Sequence, residues 1–431
     1  MTKSYNLSRC FATLFLLLLF AFNCSAVDWL CFTAEKAGST IWFENEGDNN
    51  PSIQYSFDGD SWSDWNEKAT ITLENTGDKV YVRGDNSKGF SFNAKKYTHF
   101  GMKGNISSSG SVMSLIDPNE SSTEIPNSGC FFKLFSDCKS LTQAPDLPAT
   151  ILKDSCYYSL FEKCENLETV PKLPAMTMAK YCYSSMFSGC LNLTNAPELP
   201  SLTLAPNCYS SMFTDCNNLE VAPELPATKL EEYCYSTMFT ACEKLKKAPD
   251  LPAKKLVDFC YFFMFERCSG LESAKISATE LGPKSCIAMF MSCSNMNYIK
   301  IDVMTLDNDM SATESWVMGV TGEGIIEFPC GSKYNKYGDS EAPNNFTIKA
   351  SPIVIFQNPD KEELWRDTIG CDVVPQYPFE EKGEPFYKDG LIFKGWDVKP
   401  HVTKRQTFII IQPYMEKKMT LTSTRYYVSQ H

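Results

Sequence analysis

The sequence predicts an α/β solenoid of about seven 26-residue turns, with short parallel strands plus helices, between two small β modules. Cysteine recurs at an interval of 26 residues seven times from Cys130 to Cys286. Each of these cysteines opens a version of one phrase, which reads Cys-Tyr-Ser-Ser-Met-Phe-Ser-Gly-Cys at Cys182. Alternating runs typical of strands stand before and after the repeats. A fixed period of this length indicates one structural unit that stacks on copies of itself.

Length and charge narrow the possible functions. The chain has 431 residues, which favours two to four structural units. Its formal net charge of -12 at pH 7 argues against binding to nucleic acid, because phosphates need basic faces to neutralise them. The same charge disfavours adsorption to anionic membranes and favours solubility. We therefore expect a protein partner, or a glycan, and no nucleic acid.

The N-terminus has the three parts of a secretory signal peptide, which is predicted over residues 1–26. Basic residues precede an apolar run over residues 11–22, and small residues precede a cleavage site between Ala26 and Val27. No apolar stretch of 18 residues follows, so no transmembrane span is predicted. Lipidation of Cys24 is an alternative that would anchor the chain. The predicted location is secreted or at the cell surface.

Residues 27–117 predict an all-β, sandwich-like leader module. Short alternating runs are separated by clusters of Gly, Asp and Asn, a pattern typical of strands joined by hairpin turns. The sequences Asp58-Gly59 and Gly77-Asp78 are natural turn sites. The predicted strands are residues 39–43, 52–57, 69–73 and 79–82.

The solenoid itself is predicted over residues 118–300. Placed on a helix at about 100° per residue, the apolar members of the Cys182 phrase form one stripe wide enough to face a core. A short strand near Leu193 follows and ends at Pro197. One turn is thus strand, bend and helix, and about 4.8 Å per strand gives a body roughly 35 Å long. The stripe consists of Cys182, Tyr183, Met186, Phe187 and Cys190.

The second cysteine of each repeat predicts a structural ladder of buried thiols. On a helix, which rises about 1.5 Å per residue, Cys182 and Cys190 would lie roughly 12 Å apart. A disulfide needs Cα atoms within about 7 Å, so pairing within a repeat is excluded, and one metal ion could not bridge the gap. Bridges between stacked turns stay open beside the interpretation that the thiols pack as small hydrophobes. The ladder residues are Cys138, Cys164, Cys190, Cys216, Cys242 and Cys268.

The C-terminal third is predicted to contain three parts. A closing cap segment covers residues 301–350 and includes Trp316. Residues 351–415 have the alternation of another small β-rich module, and residues 416–431 form a charged tail.

Two motifs carry a resemblance to known families. The phrase Met-Phe-x-x-Cys-x-x-Leu resembles the leucine-rich repeats of Bacteroides surface antigen (BspA-type) proteins, over about residues 125–300. Residues 390–396, Gly-Leu-Ile-Phe-Lys-Gly-Trp, are similar to the Listeria–Bacteroides repeat of internalin-type surface proteins. The resemblance implies an α/β leucine-rich-repeat solenoid, a β-grasp-like module at residues 351–415, and adhesion to host proteins or other cells. It brings no catalytic residues.

Catalysis has little support, and no catalytic, cofactor-binding or metal-ligating residue is predicted. Only His99, His401 and His431 occur, so the repeats hold no histidine to activate a cysteine or serine. The acidic loop at Asp58 lacks the Gly and the distal Glu of a calcium loop, and it predicts a hairpin turn. The chain is therefore predicted not to be an enzyme.

Aromatic residues on the outward side of the predicted helices are the candidate partner contacts. Contiguous exposed aromatic residues usually mark an interface. An alternative places Phe259, Phe262 and Phe263 under the closing cap segment. The candidates are Tyr158, Tyr181, Tyr233, Phe259, Phe262 and Phe263.

The predicted function is adhesion or protein–protein recognition by an exported protein with an extracellular or cell-surface partner. Two alternatives stay open. A carbohydrate-binding protein would stack glycans on Trp42, Trp62 and Trp65 of the leader module. A structural surface spacer would bind neither proteins nor glycans.

Overall fold

The computed structural model describes residues 28–119, 122–303, 312–329 and 346–351, together with further short strands between residues 305 and 417. It divides into two compact units, Met1–Pro223 and Glu224–His431, which are described separately. No α-helix occurs among the described residues; a 3-10 helix, Val112–Leu115, follows the strands of the leader. The predicted α/β solenoid is therefore wrong in its helices, and the described part of the chain is built from strands and linked turns.

The leader module consists of two packed sheets. One has the order β4-β3-β6-β1-β8-β9 and the other the order β5-β2-β7. Alternating residues of β2 are buried, and the rings of Phe32 and Phe100, one from each sheet, meet at 5.3 Å. The strands are β1 Leu30–Ala34, β2 Ser39–Glu46, β3 Gln54–Ser56, β4 Ser63–Asp64, β5 Ile71–Leu73, β6 Lys79–Arg83, β7 Tyr97–Lys103, β8 Ile106–Ser109 and β9 Leu141–Gln143.

Each repeat of the first unit contains a chain of overlapping turns, which we call a rung. Within a rung, Ser184 N–H bonds to the Tyr181 carbonyl and Met186 N–H to the Tyr183 carbonyl, at 3.3 Å each. The intervening N–H groups point to the next rung instead, as in the 2.8 Å bond from Ser185 N–H to the Ser210 carbonyl. The backbone donors are thus satisfied alternately within and between rungs. The rungs of this unit are residues 129–138, 155–164, 181–190 and 207–216.

Every fourth residue of a rung adopts a left-handed backbone conformation. Tyr181, Ser185 and Gly189 have φ values of 57°, 55° and 75°. Ser185 and Gly189 are the second central residues of turns closed by Met186 and Cys190, where a type II turn requires positive φ. A residue other than glycine costs roughly 1–2 kcal/mol in this region. The rung therefore depends on the hydrogen bonds and core contacts that offset this cost.

The predicted apolar stripe is buried although the helix is absent. Cys182, Tyr183, Met186, Phe187 and Cys190 are each at most 1% exposed. A chain that turns back every four residues returns side chains to the same face nearly as often as a helix of 3.6 residues per turn. The helix prediction was wrong because these two periods cannot be separated over nine residues.

Aromatic rings form two columns through the core of the first unit. Phe135, Phe161, Phe187 and Phe213 stack at 5.4 to 5.7 Å with planes within 9° of parallel. The leader caps this column, because Phe100 of β7 stacks on Phe135 at 5.5 Å and its N–H bonds to Leu134. The second column consists of Phe131, Tyr157, Tyr183 and Tyr209.

Parallel pairing on the opposite side of the rungs is sparse in the first unit. β9 extends the leader sheet by pairing with β8 in parallel. Beyond it, the described residues of successive repeats pair through isolated parallel bridges such as Gln143 to Thr169 and Asn195 to Val221. The predicted strand of each repeat is thus reduced to one or two bonded residues here.

The second unit repeats the rung and adds one that the sequence did not reveal. Tyr261 N–H bonds to Ser285, whereas Tyr235 N–H bonds to Cys260, so Ser285 takes the place of the repeat cysteine and Cys286 that of the tyrosine. The seventh cysteine of the 26-residue series is therefore shifted by one position. Residues 312–320 then form a further rung, and Phe290 N–H bonds to the Trp316 carbonyl at 2.7 Å. The rungs of this unit are residues 233–242, 259–268, 284–293 and 312–320.

A parallel sheet accompanies these rungs. Its order is β10-β11-β13-β15, and each neighbouring pair is parallel. Part of the predicted cap segment, residues 301–350, thus continues the repeat architecture. The strands are β10 Ser273–Ile276, β11 Tyr298–Ile301, β12 Thr305–Leu306, β13 Gly324–Pro329, β14 Lys333–Tyr334 and β15 Phe346–Ser351.

The C-terminal strands form two further three-stranded sheets. β16 pairs antiparallel with β17 and parallel with β20, while β19 pairs antiparallel with β18 and β21. The β-grasp-like module predicted for residues 351–415 stays a prediction, because most of these residues lie outside the described part. The strands are β16 Ile353–Gln357, β17 Glu363–Thr368, β18 Tyr387–Lys388, β19 Leu391–Trp396, β20 Phe408–Ile411 and β21 Pro413–Lys417.

Candidate partner-binding surfaces

The rungs place aromatic residues on the outer side at defined positions. Residues immediately before the first cysteine of a rung, or two and three after it, lie outside the buried stripe. Serine, threonine or asparagine occupies about half of these positions, as at Ser185 and Asn207. The six predicted contact residues occupy other positions of this set, and the structure leaves all six partly exposed.

Four aromatic residues of the first unit are in contact in a row, the unit 1 aromatic strip: Tyr97, Phe132, Tyr158 and Tyr181. Tyr97, Tyr158 and Tyr181 are partly exposed, whereas Phe132 is buried between them and is 7% exposed. Phe132 and Tyr158 stack at 5.0 Å with planes 4° apart. Tyr181 lies 6.4 Å from Tyr158, and Tyr97 of β7 lies 5.4 Å from Phe132. The Lys180 ammonium lies 5.4 Å from the Tyr181 ring, which gives the strip a positive charge at one end. Partial burial is the main reason that the pKa of Tyr158 is raised.

The second unit carries its own group of rings, the unit 2 aromatic cluster: Tyr233, Phe259, Phe262 and Phe263. Tyr233 and Phe259 stack at 4.5 Å, and Phe262 lies 4.4 Å from Phe263. The Lys284 ammonium lies 5.3 Å from the Phe259 ring. These rings keep partial exposure against the described residues. Residues 307–311 of the closing cap segment lie outside the described part, so the alternative that the cap covers this cluster stays a prediction.

The three tryptophans predicted as a glycan platform do not share a surface. Trp65 is only 5% exposed, because it packs against Phe43 and Tyr55 inside the leader module. Trp42 lies on β2 in one sheet, whereas Trp62 lies in the hairpin between β3 and β4 of the other. The platform of Trp42, Trp62 and Trp65 is therefore wrong as a single site.

Trp62 belongs instead to a cluster that the sequence did not indicate. Its ring meets Trp29 at 4.9 Å, edge to face, and the Arg83 guanidinium lies 3.9 Å from its centroid. Both indole N–H groups donate to carbonyls, Trp62 to Gly59 and Trp29 to Pro118. The cluster is partly exposed, but its rings cover much of each other's surface.

The hairpin at Asp58 is a turn, as predicted. The Asp58 carboxylate accepts hydrogen bonds from Ser61 N–H at 2.7 Å and Asp60 N–H at 2.9 Å. These bonds lower the pKa of Asp58. Its oxygens serve the turn, which joins β3 to β4.

The predicted ladder cysteines are buried and donate hydrogen bonds between rungs. Cys190 Sγ lies 3.2 Å from the Phe161 carbonyl, and Cys216 Sγ lies 3.1 Å from the Phe187 carbonyl. Burial raises the pKa of the Cys130 and Cys208 thiols to about 12. All fifteen described cysteines are free and buried. Thiols in such surroundings are poor nucleophiles and act as small core residues.

Other sequence features lie partly outside the described residues. Ala26, Val27 and Cys24 fall there, as do His401 and His431. His99 lies on β7 with its ring 5.8 Å from Tyr97. Among the described residues, no group of three His, Cys, Asp or Glu side chains could hold a metal ion, and no helix is long and apolar enough to cross a membrane.

Comparisons with known proteins do not indicate a function. No protein-family model matches the chain, and no curated protein matches it.

Sequence reasoning missed the partly exposed Tyr97 and Trp29, and the buried Phe132 that joins Tyr97 to Tyr158. Phe132 could have been found, because it precedes Tyr158 by 26 residues and occupies the same place in its rung. Tyr97 and Trp29 belong to the leader, where no repeat marks their position.

Proposed function

We propose that the chain is an exported, non-enzymatic protein that recognises other proteins at a cell surface through aromatic faces of its rungs. The observation that carries this proposal is the unit 1 aromatic strip, in which the partly exposed rings of Tyr97, Tyr158 and Tyr181 are joined through buried Phe132. Interfaces are enriched in tyrosine and phenylalanine, and a stacked, preordered ring loses little entropy when a partner binds. The unit 2 aromatic cluster supplies a second face of the same chemistry.

The resemblance to BspA-type and internalin-type surface proteins supports adhesion as the purpose of this recognition. The resemblance bears on function alone, because the described residues contain no α-helix. The proposal that the protein is exported depends on the signal-peptide pattern of residues 1–26. Lipidation of Cys24 is the alternative that would retain the exported chain at the cell surface. Repeated weak contacts along a stacked surface are typical of solenoid proteins that bind large partners.

The test measures binding of the full mature chain to a panel of purified extracellular-matrix proteins by biolayer interferometry. Two double variants address the two faces: Tyr158→Ser with Tyr181→Ser, and Phe262→Ser with Phe263→Ser. We expect at least one to weaken binding by more than tenfold, as truncation of aromatic hot spots does. Phe57→Ser is the matched control, since Phe57 is an aromatic residue of the leader that is 57% exposed.

Thermal unfolding separates a binding face from a covered one. If Phe262 and Phe263 serve a partner, their replacement by serine leaves the melting temperature nearly unchanged. A loss of several degrees would show instead that they lie under the closing cap segment. Full binding by both double variants would contradict the proposal.

Carbohydrate binding is a second candidate, favoured by the partly exposed Trp29 and Trp62 pair. A glycan array probed with the full chain and with Trp62→Ala tests it, because sugars stack on indole faces. Arg83 already covers one face of Trp62, so we rank this function second. A chain that binds neither matrix proteins nor glycans would be a structural spacer.

A further inference from the structure

A groove runs along the first unit on the side where each repeat carries two prolines. It consists of two adjoining concavities of about 490 Å³ and 430 Å³. They share Lys172 and Pro174, which lie between them. The first reaches back to Asp28, Asp146 and Met113, and the second extends forward to Pro197 and Glu198.

The groove exists because the prolines interrupt the bonding between repeats. Pro171 and Pro174 have no N–H to donate. Among the described residues, none of 171–174 exchanges a backbone hydrogen bond with a neighbouring repeat, in contrast to the rung at 181–190. Lys172 is exposed, so its N–H group and carbonyl are free to meet a ligand backbone, whereas Leu173 is buried.

The walls of the groove are mostly apolar. Pro148, Pro174 and Pro200 recur at 26-residue intervals and line it in succession. Two residues beyond Pro174 and Pro200, Met176 and Leu202 are 58% and 56% exposed. Large exposed apolar side chains beside a concave surface are typical of a binding site.

The charge in the groove is predominantly negative. Asp28 and Asp146 line the first concavity and Glu198 lines the second. Lys172 is the basic residue that lines both. The backbone fixes both aspartates, because Ser111 N–H bonds to the Asp28 carbonyl at 2.7 Å and Asp146 N–H to the Gly110 carbonyl at 2.8 Å. Burial raises the pKa of Asp28, and the nearby Asp146 carboxylate raises it further. A cation placed between the two would remove this repulsion.

We propose that this groove binds an extended segment of a partner protein, with a lysine or arginine between Asp28 and Asp146 and apolar side chains against the row of prolines. The segment would use the backbone groups of the exposed Lys172 as additional hydrogen-bond partners, as in strand addition. The inference deepens the proposed function, since it names one class of partner, but it concerns a different surface from the aromatic strip.

The test selects ligands from a phage-displayed library of random 12-residue peptides against the full mature chain. We expect the enriched peptides to share a basic residue flanked by apolar residues. The Kd of one enriched synthetic peptide is then measured by fluorescence polarisation. The double variant Asp28→Asn with Asp146→Asn should bind about tenfold more weakly, because two partly exposed ion-pair contacts are removed. Asp215→Asn, which removes an exposed carboxylate from a rung outside the groove, should bind normally.

The outcomes distinguish the groove from the aromatic faces. Tyr158→Ser with Tyr181→Ser should retain full peptide affinity, even if it loses its matrix partner. The inference is overturned if no peptide is enriched, if enriched peptides lack a basic residue, or if the aspartate variant binds as tightly as the wild type. Thermal unfolding of each variant confirms that the fold is retained.

Discussion

Replacing Gly189 by alanine distinguishes a rung of turns from a helix by the sign of its effect on stability. Gly189 has φ of 75°, and an added Cβ would lie 3.2 Å from Lys163 Cγ. That contact is with a flexible side chain, so the backbone conformation dominates the cost. Alanine in the left-handed region costs roughly 1–2 kcal/mol. In a helix interior, the same change would stabilise the protein by about 1 kcal/mol.

The reciprocal change is available one repeat earlier. Lys163 occupies the same place in its rung as Gly189, has φ of 58°, and is exposed. Lys163→Gly should therefore raise stability slightly, by about 0.5 kcal/mol, after the entropic cost of glycine in the unfolded chain is subtracted. In a helix it would lower stability by about 1 kcal/mol.

Differential scanning calorimetry of the full mature chain measures both changes. For a unit of this size, 1 kcal/mol shifts the melting temperature by about 2–4 °C. We expect Gly189→Ala to lower it by about 2–8 °C and Lys163→Gly to leave it unchanged or raise it by about one to two degrees. Ser188→Ala is the control, because Ser188 is not left-handed and should shift the midpoint by less than about 1 °C. A higher midpoint for Gly189→Ala with a lower one for Lys163→Gly would refute the turn structure.

Three further predictions concern the core. Tyr157 is fully buried and its hydroxyl has no hydrogen-bond partner, so Tyr157→Phe should stabilise the fold by about 1 kcal/mol. The same calorimetric experiment measures this change, with Tyr158→Phe as the near-neutral control. Iodoacetamide at pH 8 should not label the fifteen described cysteines until guanidinium unfolds the chain, and site-resolved mass spectrometry measures this labelling. Rapid labelling of Cys190 in the folded protein would contradict its burial. Because the folded pKa of Cys130 and Cys208 is about 12, above the ordinary thiol value, their contribution to stability is complete below about pH 8.5 and is lost as the pH rises toward 12. Urea unfolding should therefore show a falling free energy of unfolding above about pH 9, and a rising one would contradict the assignment.

Much of the buried set of the repeats follows from periodicity alone. The five apolar members of the Cys182 phrase are buried, and the outward aromatics Tyr158 and Tyr181 lie on the surface. The backbone conformation of the rung does not follow from periodicity. A turn that repeats every four residues and a helix of 3.6 residues per turn bury the same side chains over nine positions. A further clue was present in the glycine, asparagine and aspartate found at some of these fourth positions, as at Gly189, Asn207 and Asp215, because these residues tolerate positive φ.

Some residues of the candidate sites could likewise be predicted from the sequence, and others could not. Aromatic residues within the repeats could be assigned to an outer face because the repeat fixes their phase. Trp65 could not be assigned, because a leader strand has two faces and only its packing against Phe43 shows which is inside. The proline groove also escaped prediction, since Asp28 and Lys172 come together only through stacking.

The amino-acid sequence by itself determined the 26-residue unit, the residues each unit buries, the alternating strands of the leader, and the acidic, histidine-poor character that disfavours nucleic-acid binding and catalysis. Tertiary structure decided the backbone of each rung, because a left-handed residue every fourth position is stable only when the N–H groups between turns find carbonyls on the next rung. It also decided the rung at residues 312–320, which lacks the cysteine signature and is recognisable only by its bonds to the rung before it.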